Sequence, residues 1–376
     1  MAVDKITGVV KNYAWGSPGA IDAVRGLPPS GDIQAEWWLG DHPAGEATVV
    51  SAGAPLSAFL ENLGHGSLGF LLKVLTPSTP LSLQVHPTRT QAEEGFAAEE
   101  RAGIPLDSPQ RVYADRFAKP EVVVCVLGVF DALAGNSPDE VVVERIDRLI
   151  EAGLDDSLGA TWREGVLTNR RDTVAWLLGR DPQAQALVAA LGAVASADPL
   201  LSLLWSHYPG DAGCAVAMML NRVSLTPGQA LFLDAGQPHS YLSGVAVELM
   251  GPSDNVVRGG LTPKHVDVDT LVAIASFDPS PAPILQPVHH GDSWLEYQPS
   301  GESFRLHRVD TAPGAKRVAV SLNLPAVCLS IGGGAVVSAD GVVTHLAPGE
   351  AGVIAGSTQR VVEVLPGSAI WFADKR

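Results

Sequence analysis

The amino-acid sequence predicts a mainly β protein with two jelly rolls, the first of which is interrupted by a helical insertion. Short runs rich in Val, Ile and Leu alternate with Gly/Pro turns over about residues 5–130, and again over about residues 213–265. This pattern is typical of an antiparallel sandwich or barrel. Residues 137–205 show helical spacing instead, and strand-like runs return after about residue 276.

The helical insertion is predicted from two helix starts. Ser137-Pro138-Asp139-Glu140 places a proline and acidic residues where the first turn of a helix favours them. The apolar residues that follow share one face of a helix, and they are Val142, Ile146, Leu149 and Ile150. A similar segment opens at Asp181-Pro182-Gln183 and continues through Leu187, Val188 and Leu191.

Two segments on either side of this insertion, together with Lys119-Pro120-Glu121, predict one metal site. Gln84 and His86 stand at i and i+2, which places both side chains on one face of a strand. With Glu121 and His239 they would offer an amide oxygen, a carboxylate and two imidazoles, a mixed set that suits Zn²⁺ or another borderline divalent ion. The prediction depends on the group, because each short motif is common by chance.

A weak internal repeat supports the second jelly roll. A Pro-Gly turn, a strand and a second turn lead from Pro227 to His239, and twelve residues likewise separate Pro348 from Arg360. This layout resembles the second motif of cupin jelly rolls. Because Arg360 occupies the position of the ligand His239, only the first jelly roll is expected to hold a metal. Chance recurrence of Pro-Gly turns is the alternative explanation.

These observations divide the chain into three predicted domains. Residues 1–130 and 206–275 form the metal-binding jelly roll, residues 131–205 the helical domain, and residues 276–376 a jelly roll without a metal site. Strands of the last domain are expected at 317–322, 326–331 and 335–337.

Composition excludes several classes of partner. The 376 residues carry a net charge of −16, which argues against non-specific binding to nucleic acid or to an anionic membrane. No apolar run reaches the roughly 18 residues of a membrane span, and Met1–Lys5 shows no secretory signal, so a cytoplasmic protein is expected. The widely spaced cysteines are interpreted as buried free thiols, and they are Cys125, Cys214 and Cys328.

Several segments, in order over nearly the whole chain, carry a family resemblance. They are Asn12-Tyr13-Ala14-Trp15-Gly16-Ser17, Glu36-Trp37-Trp38-Leu39-Gly40, Ser82-Leu83-Gln84-Val85-His86-Pro87, Lys119-Pro120-Glu121 and the stretch Gly244–His265. These segments resemble the type I mannose-6-phosphate isomerases. The resemblance implies a jelly-roll catalytic domain with one zinc, a helical domain and a second jelly roll. It also implies, by position, the zinc ligands Gln84, His86, Glu121 and His239.

The sequence departs from that family at two places. Phe117-Ala118 stands where the family usually has Asn-His, so any polar contact from that pair is missing. Gly135-Asn136-Ser137 replaces a common Gly-Phe-Arg. Neither departure falls on a predicted ligand, but both are expected to affect substrate preference or the packing of the helical domain.

Interconversion of an aldose and a ketose requires a base and an electrophile, because a proton moves between C2 and C1 through an enediol. Zinc would act as the Lewis acid. Glu248 is the favoured base, since it lies in an apolar run where burial would raise its pKa. Lys119 and a metal-bound water are the competing proton carriers. Arg258, beside Gly259-Gly260, would stabilise enediolate charge, and Lys119 is also a predicted pocket cation.

Four further residues are predicted to contact the substrate. Ser82 precedes Gln84 by two residues, and Lys264 follows Thr262-Pro263 at an expected helix start, where free N–H groups favour anions. These two are the candidates for binding phosphate. Tyr241 and Asp254 are weaker candidates. The remaining histidines are interpreted as structural or exposed, and they are His42, His65, His207, His265, His289, His290, His307 and His345.

The sequence therefore predicts a zinc-dependent isomerase that interconverts mannose 6-phosphate and fructose 6-phosphate. The expected partner is a small sugar phosphate, and a monomer or weak homo-oligomer is expected. Two alternatives remain at this point. One is an iron-dependent cupin oxidoreductase, against which Gln84 counts because such sites use two histidines and one carboxylate. The other is a non-catalytic sugar-phosphate-binding protein.

Overall fold

Antiparallel sheets are the main secondary-structure component of the computed structural model, which describes residues 3–356 and 361–376. The predicted fold class, mainly β with two cupin-type jelly rolls and a helical insertion, is confirmed. Arg360, on which the internal repeat depends, lies outside the described residues. In the part of the chain that is described, no helix combines the length and apolarity needed to cross a membrane.

The described residues before residue 121 fold into short strands, which turns and three helices connect. Helix α3 begins with a capping box, because the hydroxyl of Thr88 accepts from the backbone of Gln91 and the Gln91 side chain accepts from the backbone of Thr88. The elements are β1 (Asp4–Thr7), β2 (Val9–Lys11), β3 (Ser17–Pro18), α1 (Ala20–Val24), β4 (Ile33–Gln34), β5 (Glu36–Leu39), β6 (Thr48–Val49), β7 (Ala54–Pro55), α2 (Leu56–Asn62), β8 (Leu71–Leu75), β9 (Gln84–Val85) and α3 (Arg89–Arg101).

The helical insertion follows a long strand, β10 (Glu121–Asn136), which crosses the predicted boundary at residue 130. Both predicted helix starts are observed, with Pro138 and Asp181 at the N-caps. The helices also run past the predicted end at residue 205. They are α4 (Asp139–Glu151), α5 (Asp156–Thr168), α6 (Arg170–Leu178), α7 (Pro182–Val194), α8 (Pro199–His207) and α9 (Gly213–Ala217), with a 3-10 turn at Ala195–Ala197.

The chain then returns to the strand that carries the insertion and builds the sheet around it. Strand β10 pairs with β11 (Leu220–Leu225), β12 (Ala230–Leu233) and β13 (His239–Met250). Strand β13 pairs in turn with β8, and also with the short β9, which contacts β14 (Val257–Arg258). Helix α10 (Val268–Ile274) and β15 (Ile284–Leu285) complete this part. We call the sheet β15-β12-β10-β13-β8-β5-β2, with β9, β11 and β14, the first sheet.

The last hundred residues form strands at each predicted run. Apolar residues alternate along them, as in the buried positions of β18. The strands are β16 (Val288–His289), β17 (Trp294–Tyr297), β18 (Phe304–Asp310), β19 (Val318–Ser321), β20 (Ala326–Leu329), β21 (Ala335–Ala339), β22 (Val342–Leu346), β23 (Ala351–Ile354), β24 (Val361–Val364) and β25 (Ala369–Lys375).

The chain's N-terminal strand belongs to the C-terminal sheet. Strand β1 pairs with β23, with Asp4 opposite Val353, and β6 and β7 extend the same edge. The resulting second sheet has the order β16-β17-β18-β25-β20-β23-β1-β6-β7. The predicted domain boundaries place β1 in the first jelly roll and so miss its pairing with β23. This pairing covers the edge of β23 with residues that are distant in sequence, so no local pattern indicates it. The division into three domains with those boundaries stays a prediction.

The two sheets pack face to face. Val122 and Val124 of β10 lie in one apolar cluster with Val327 and Trp371 of the second sheet. Because neighbouring side chains on a strand point to opposite faces, Glu121 and the other odd-numbered residues of this stretch point away from that core. The first sheet is thus apolar on the face that contacts the second sheet and carries charged groups on the other.

Burial predicts low thiol reactivity. Cys125, Cys214 and Cys328 are free and buried, as expected from the sequence. Burial raises the pKa of all three thiols, to about 12 for Cys214 and Cys328, and only the thiolate attacks a disulfide reagent. We expect no rapid reaction with a chromogenic disulfide at about pH 8, and reaction of all three thiols after denaturation. Fast modification of one thiol in the folded protein would contradict this packing.

Candidate active site

The predicted ligands converge where β9 lies between β13 and β14. Gln84 stands opposite His239 on one side and opposite Arg258 on the other. Residues directly opposite one another on antiparallel strands share a face of the sheet, so these three side chains form one row. Gln84 is buried in this row, although β9 itself spans only Gln84–Val85 and ends one residue before His86.

Two histidines and a glutamate form a cluster with metal-ligand geometry. His86, Glu121 and His239 are buried, and their ligand atoms lie within 4.8 Å of one another. The Nε2 atom of His86 is 3.2 Å from Oε1 of Glu121, and that of His239 is 3.5 Å from Oε2. Each carboxylate oxygen therefore faces one imidazole nitrogen.

Backbone carbonyls fix the tautomers of both imidazoles. Nδ1 of His86 is 2.7 Å from the carbonyl oxygen of Asn255, and Nδ1 of His239 is 2.9 Å from that of Gln237. Since a carbonyl only accepts, each Nδ1–H donates and each Nε2 presents a lone pair. Burial lowers the pKa of both imidazoles, and it lowers that of His239 to about 4.

These lone pairs have no protein partner. Neither Nε2 atom makes a hydrogen bond with any described residue, although both are buried. Two neutral nitrogen donors that face an anionic carboxylate in a buried position are a donor set for a cation. The cluster therefore fits a divalent metal ion.

Lys119 and Tyr241 contact the carboxylate of Glu121. The Lys119 ammonium is 2.9 Å from Oε1, so the two residues share a face as predicted, although β10 begins only at Glu121. The hydroxyl of Tyr241 is 3.1 Å from Oε2. Burial alone would raise the pKa of Glu121, but the positive charge of Lys119 beside it lowers that pKa well below its ordinary value. Glu121 is therefore ionised.

The same hydroxyl connects Glu121 to Glu248. It lies 2.8 Å from Oε1 of Glu248, which is buried on β13. A phenol has one proton, so at any moment it donates to only one of the two carboxylates. Burial, and then the charge of Glu121, raises the pKa of Glu248. Tyr241 thus bridges the candidate base Glu248 and the cluster carboxylate Glu121.

A lysine that the sequence analysis missed pairs with Glu248. Lys73 on β8 stands opposite Glu248 on β13 and opposite Trp38 on β5. Its ammonium is 2.6 Å from Oε2 of Glu248 and 3.6 Å from Oε1 of Glu36. Burial would lower the pKa of Lys73, but the charges of Glu248 and Glu36 raise it. Trp38 Nε1–H donates to Glu36 at 2.5 Å. The signal was a lysine inside the apolar run of β8, because a buried charge is kept only where it is paired.

Arg258 and Lys264 form a cationic edge beside the predicted ligands, because Arg258 stands opposite Gln84 and lies close enough to Lys264 to affect its charge. Arg258 is half-buried and Lys264 is exposed, and neither side chain pairs with a carboxylate among residues 3–356 and 361–376. Burial, and then the charge of Arg258, lowers the pKa of Lys264. Two neighbouring cations without a protein counter-ion, in a chain of net charge −16, favour an anion between them.

The predicted helix start at Lys264 is wrong. Helix α10 begins at Val268, because the carboxylate of Asp267 accepts from the backbone N–H of Thr270 at 2.9 Å and so caps the helix. Lys264 lies before it in a turn, where its own N–H donates to the Thr262 hydroxyl at 3.1 Å. The argument from free helix N–H groups therefore does not apply to Lys264.

Ser82 and Asp254 lie near the pocket in irregular segments. Ser82 is half-buried and precedes β9, so the strand-face argument for it does not hold. Asp254 is exposed, and its Oδ2 is 3.6 Å from Nε2 of His42. His42, expected to be structural or exposed, is buried edge-on against Trp38 with ring centroids 5.1 Å apart.

The departure at Phe117-Ala118 alters side chains and leaves the backbone contacts in place. The carbonyl of Phe117 accepts from the Asn255 amide at 2.9 Å, and the Phe117 ring is exposed. At the second departure, the Asn136 amide donates to the carbonyl of Ser276 at 2.9 Å. The first departure thus removes polar atoms beside Lys119 without displacing Asn255, the residue that orients His86.

Comparisons with known proteins agree with this geometry. The family model for the catalytic domain of type I phosphomannose isomerase matches residues 3–138. The mannose-6-phosphate isomerase of Escherichia coli K12 is 34% identical over 384 residues, covering 96% of each chain, and the human enzyme is 34% identical over 316 residues, covering 72% of each.

Solved structures give the same result. The apo mannose 6-phosphate isomerase of Salmonella typhimurium has a TM-score of 0.89 at 30% identity, and a zinc-bound mannose 6-phosphate isomerase has 0.89 at 31%, each covering 100% of both chains. The chain therefore belongs to the type I phosphomannose isomerase family.

Proposed function

We propose that the protein is a zinc-dependent isomerase that interconverts mannose 6-phosphate and fructose 6-phosphate. The observation that carries the proposal is the pair of buried, unpartnered Nε2 atoms of His86 and His239 facing Glu121. This donor set stands beside a buried acid, Glu248, and an unpaired cationic edge. An aldose-ketose isomerase that acts on a sugar phosphate needs these three components.

His86, Glu121, His239 and Gln84 would hold the zinc ion. When bound, zinc polarises the oxygens at C1 and C2 and stabilises negative charge on the enediolate. The carbonyl contacts of Asn255 and Gln237 keep both imidazoles in the tautomer that can bind it. Gln84 is neutral and Glu121 carries one negative charge, so the centre keeps positive charge for an oxyanion.

Glu248 is the proposed proton carrier. It would take the proton from C2 and return it to C1, while the hydroxyl proton leaves the C2 oxygen and a proton arrives at the C1 oxygen, so that no proton is gained or lost overall. Its raised pKa brings it closer to neutrality, where a general base works best. Lys73 lies 2.6 Å away and holds the carboxylate in place. Lys119 and a water remain competitors for this role.

The cationic side chains of the site have separate proposed roles. The guanidinium of Arg258 would stabilise charge on the enediolate, and Lys119 would add a second positive charge beside Glu121. Lys264 and Ser82 would bind the phosphate group. Tyr241 would keep its hydroxyl between the two glutamates, and Asp254 would contact a sugar hydroxyl from the exposed rim.

The family membership disfavours both alternatives raised by the sequence. An iron-dependent oxidoreductase would not use Gln84 as a ligand. A binding protein without catalysis has no need of a buried Glu248 paired to Lys73. A monomer or weak homo-oligomer, a cytoplasmic location and the absence of nucleic-acid and membrane partners remain predictions.

Metal removal tests the function directly. Protein stripped with a chelator should not convert mannose 6-phosphate to fructose 6-phosphate, and addition of Zn²⁺ should restore turnover, because the buried donor set lacks its cation. A coupled assay for fructose 6-phosphate measures both states. Folded, zinc-loaded protein without turnover would reject the proposed reaction.

Replacement of one ligand tests the centre. His239→Ala removes a nitrogen donor and should reduce bound zinc from about one per chain to a trace, measured by elemental analysis after gel filtration. His345→Ala, which changes an exposed histidine on β22, is the matched control and should keep its zinc. Stoichiometric zinc in His239→Ala would contradict the ligand assignment.

Glu248→Gln tests the proton carrier. The amide keeps the size and the hydrogen bond to Tyr241 but cannot accept the C2 proton, so kcat should fall by about 10²-fold or more while bound zinc is unchanged. Glu363→Gln on β24, whose side chain is 42% exposed, is the control. A nearly normal kcat would transfer the role to Lys119 or to a water.

A further inference from the structure

The helical insertion contacts the two segments that carry the proposed phosphate-binding residues. These contacts come from Tyr208–Gly213, the connection between α8 and α9, which we call the bracing segment. It contacts Pro80, two residues before Ser82, and it contacts Gly260–Thr262, which leads to Lys264. Neither the resemblance nor the sequence pattern gave this segment a role.

Asp211 is the central residue of the bracing segment. One carboxylate oxygen accepts from the backbone N–H of Gly213 at 2.7 Å, and the other accepts from the backbone N–H of Thr262 at 3.0 Å. A carboxylate that accepts two backbone N–H groups makes stronger hydrogen bonds than a neutral acceptor. Asp211 thus ties the insertion to the segment two residues before Lys264.

The backbones meet at two glycines. A Cβ atom added to Gly213 would lie 2.7 Å from Cα of Gly260, and one added to Gly260 would lie 2.4 Å from Cα of Gly213. Gly260 has a φ of 116° and Leu261, a buried non-glycine residue, has a φ of 54°. Because a leucine seldom adopts this conformation, the surrounding contacts must hold the segment in place.

A second contact reaches the other candidate segment. The Tyr208 hydroxyl donates to the carbonyl of Pro80 at 2.6 Å. The two segments also bond to each other, since Leu83 N–H donates to the Gly260 carbonyl at 3.0 Å and Gly259 N–H donates to the Leu83 carbonyl at 2.7 Å. One segment of the insertion therefore braces both.

We infer that Asp211 is a positioning residue that, with Tyr208, holds Lys264 and Ser82 in the arrangement that binds the phosphate of the substrate. This inference rests on the proposed function. Asp211 does not need to contact the sugar phosphate, because it acts through the backbone of Thr262. Its loss should weaken the binding of phosphate while the metal cluster and Glu248 remain in place.

The test compares Asp211→Ala and Asp211→Asn with wild type in the zinc-loaded full chain. We expect Asp211→Ala to raise KM for mannose 6-phosphate and the Kd for inorganic phosphate by about tenfold, because it loses a hydrogen bond to a charged group. We expect kcat to stay within about threefold of wild type and the zinc content to be unchanged. Asp211→Asn keeps one oxygen acceptor and should fall between the two.

The control is Asp181→Ala. Asp181 accepts from the backbone N–H groups of Gln183 and Ala184 in the same insertion, so its loss removes comparable hydrogen bonds that do not involve the segments of Ser82 and Lys264. It should lower the thermal midpoint without changing KM or the affinity for phosphate. If Asp211→Ala behaves in the same way, with activity and stability falling together at constant KM, Asp211 is only a structural residue and the inference is wrong.

Two further measurements test the inference if Asp211→Ala does not fold or if the wild type shows no turnover. If Asp211→Ala does not fold, Tyr208→Phe, which removes one hydroxyl, should weaken inorganic phosphate binding by about threefold, and an unchanged Kd would overturn the inference. If wild type does not convert mannose 6-phosphate, the proposed function fails separately. Calorimetry with inorganic phosphate then still decides the role of Asp211, because it requires no turnover.

Discussion

Charge balance inside the first sheet is the constraint on which the rest of the pocket depends. Glu36, Glu121 and Glu248 are buried on neighbouring strands, where an unpaired carboxylate would be costly. Lys73 and Lys119 supply two positive charges against three carboxylates. The excess negative charge is offset by the cation that the histidines are oriented to accept. The structural need to neutralise the interior and the chemical need for a metal thus have the same solution.

The metal cluster could be predicted from sequence because its members lie in short segments with recognisable spacing. Gln84 and His86 share a face at i and i+2, and Lys119 precedes Glu121 by the same interval. The spacing of residues does not connect Lys73 to its partner, since Glu248 belongs to a strand distant in sequence. Only the register of β8 and β13 makes them neighbours.

The wrong helix start at Lys264 has a physical cause. Thr262-Pro263 and Asp267 both look like helix starts, and the second is the true cap because apolar residues at helical spacing follow it. The helical insertion was predicted from its periodicity, but its end was placed before α9. Gly213 and its contact with Gly260 therefore lay outside the predicted helical domain, although they connect the insertion to the pocket.

The pairing of β1 with β23 has a consequence for folding. Asp4 lies opposite Val353, so nearly the whole chain separates two residues that are hydrogen-bonded neighbours. At about 5–20 residues per second, ribosomal synthesis delivers the partner strand roughly 20–70 seconds after the first strand has emerged. During that interval Ile6 lacks the strand that covers it, and the edge that β1 later shares is open to other chains. Closure of the second sheet is therefore a late event in biosynthesis, and until then the edge that β1 later shares is open to pairing with another strand.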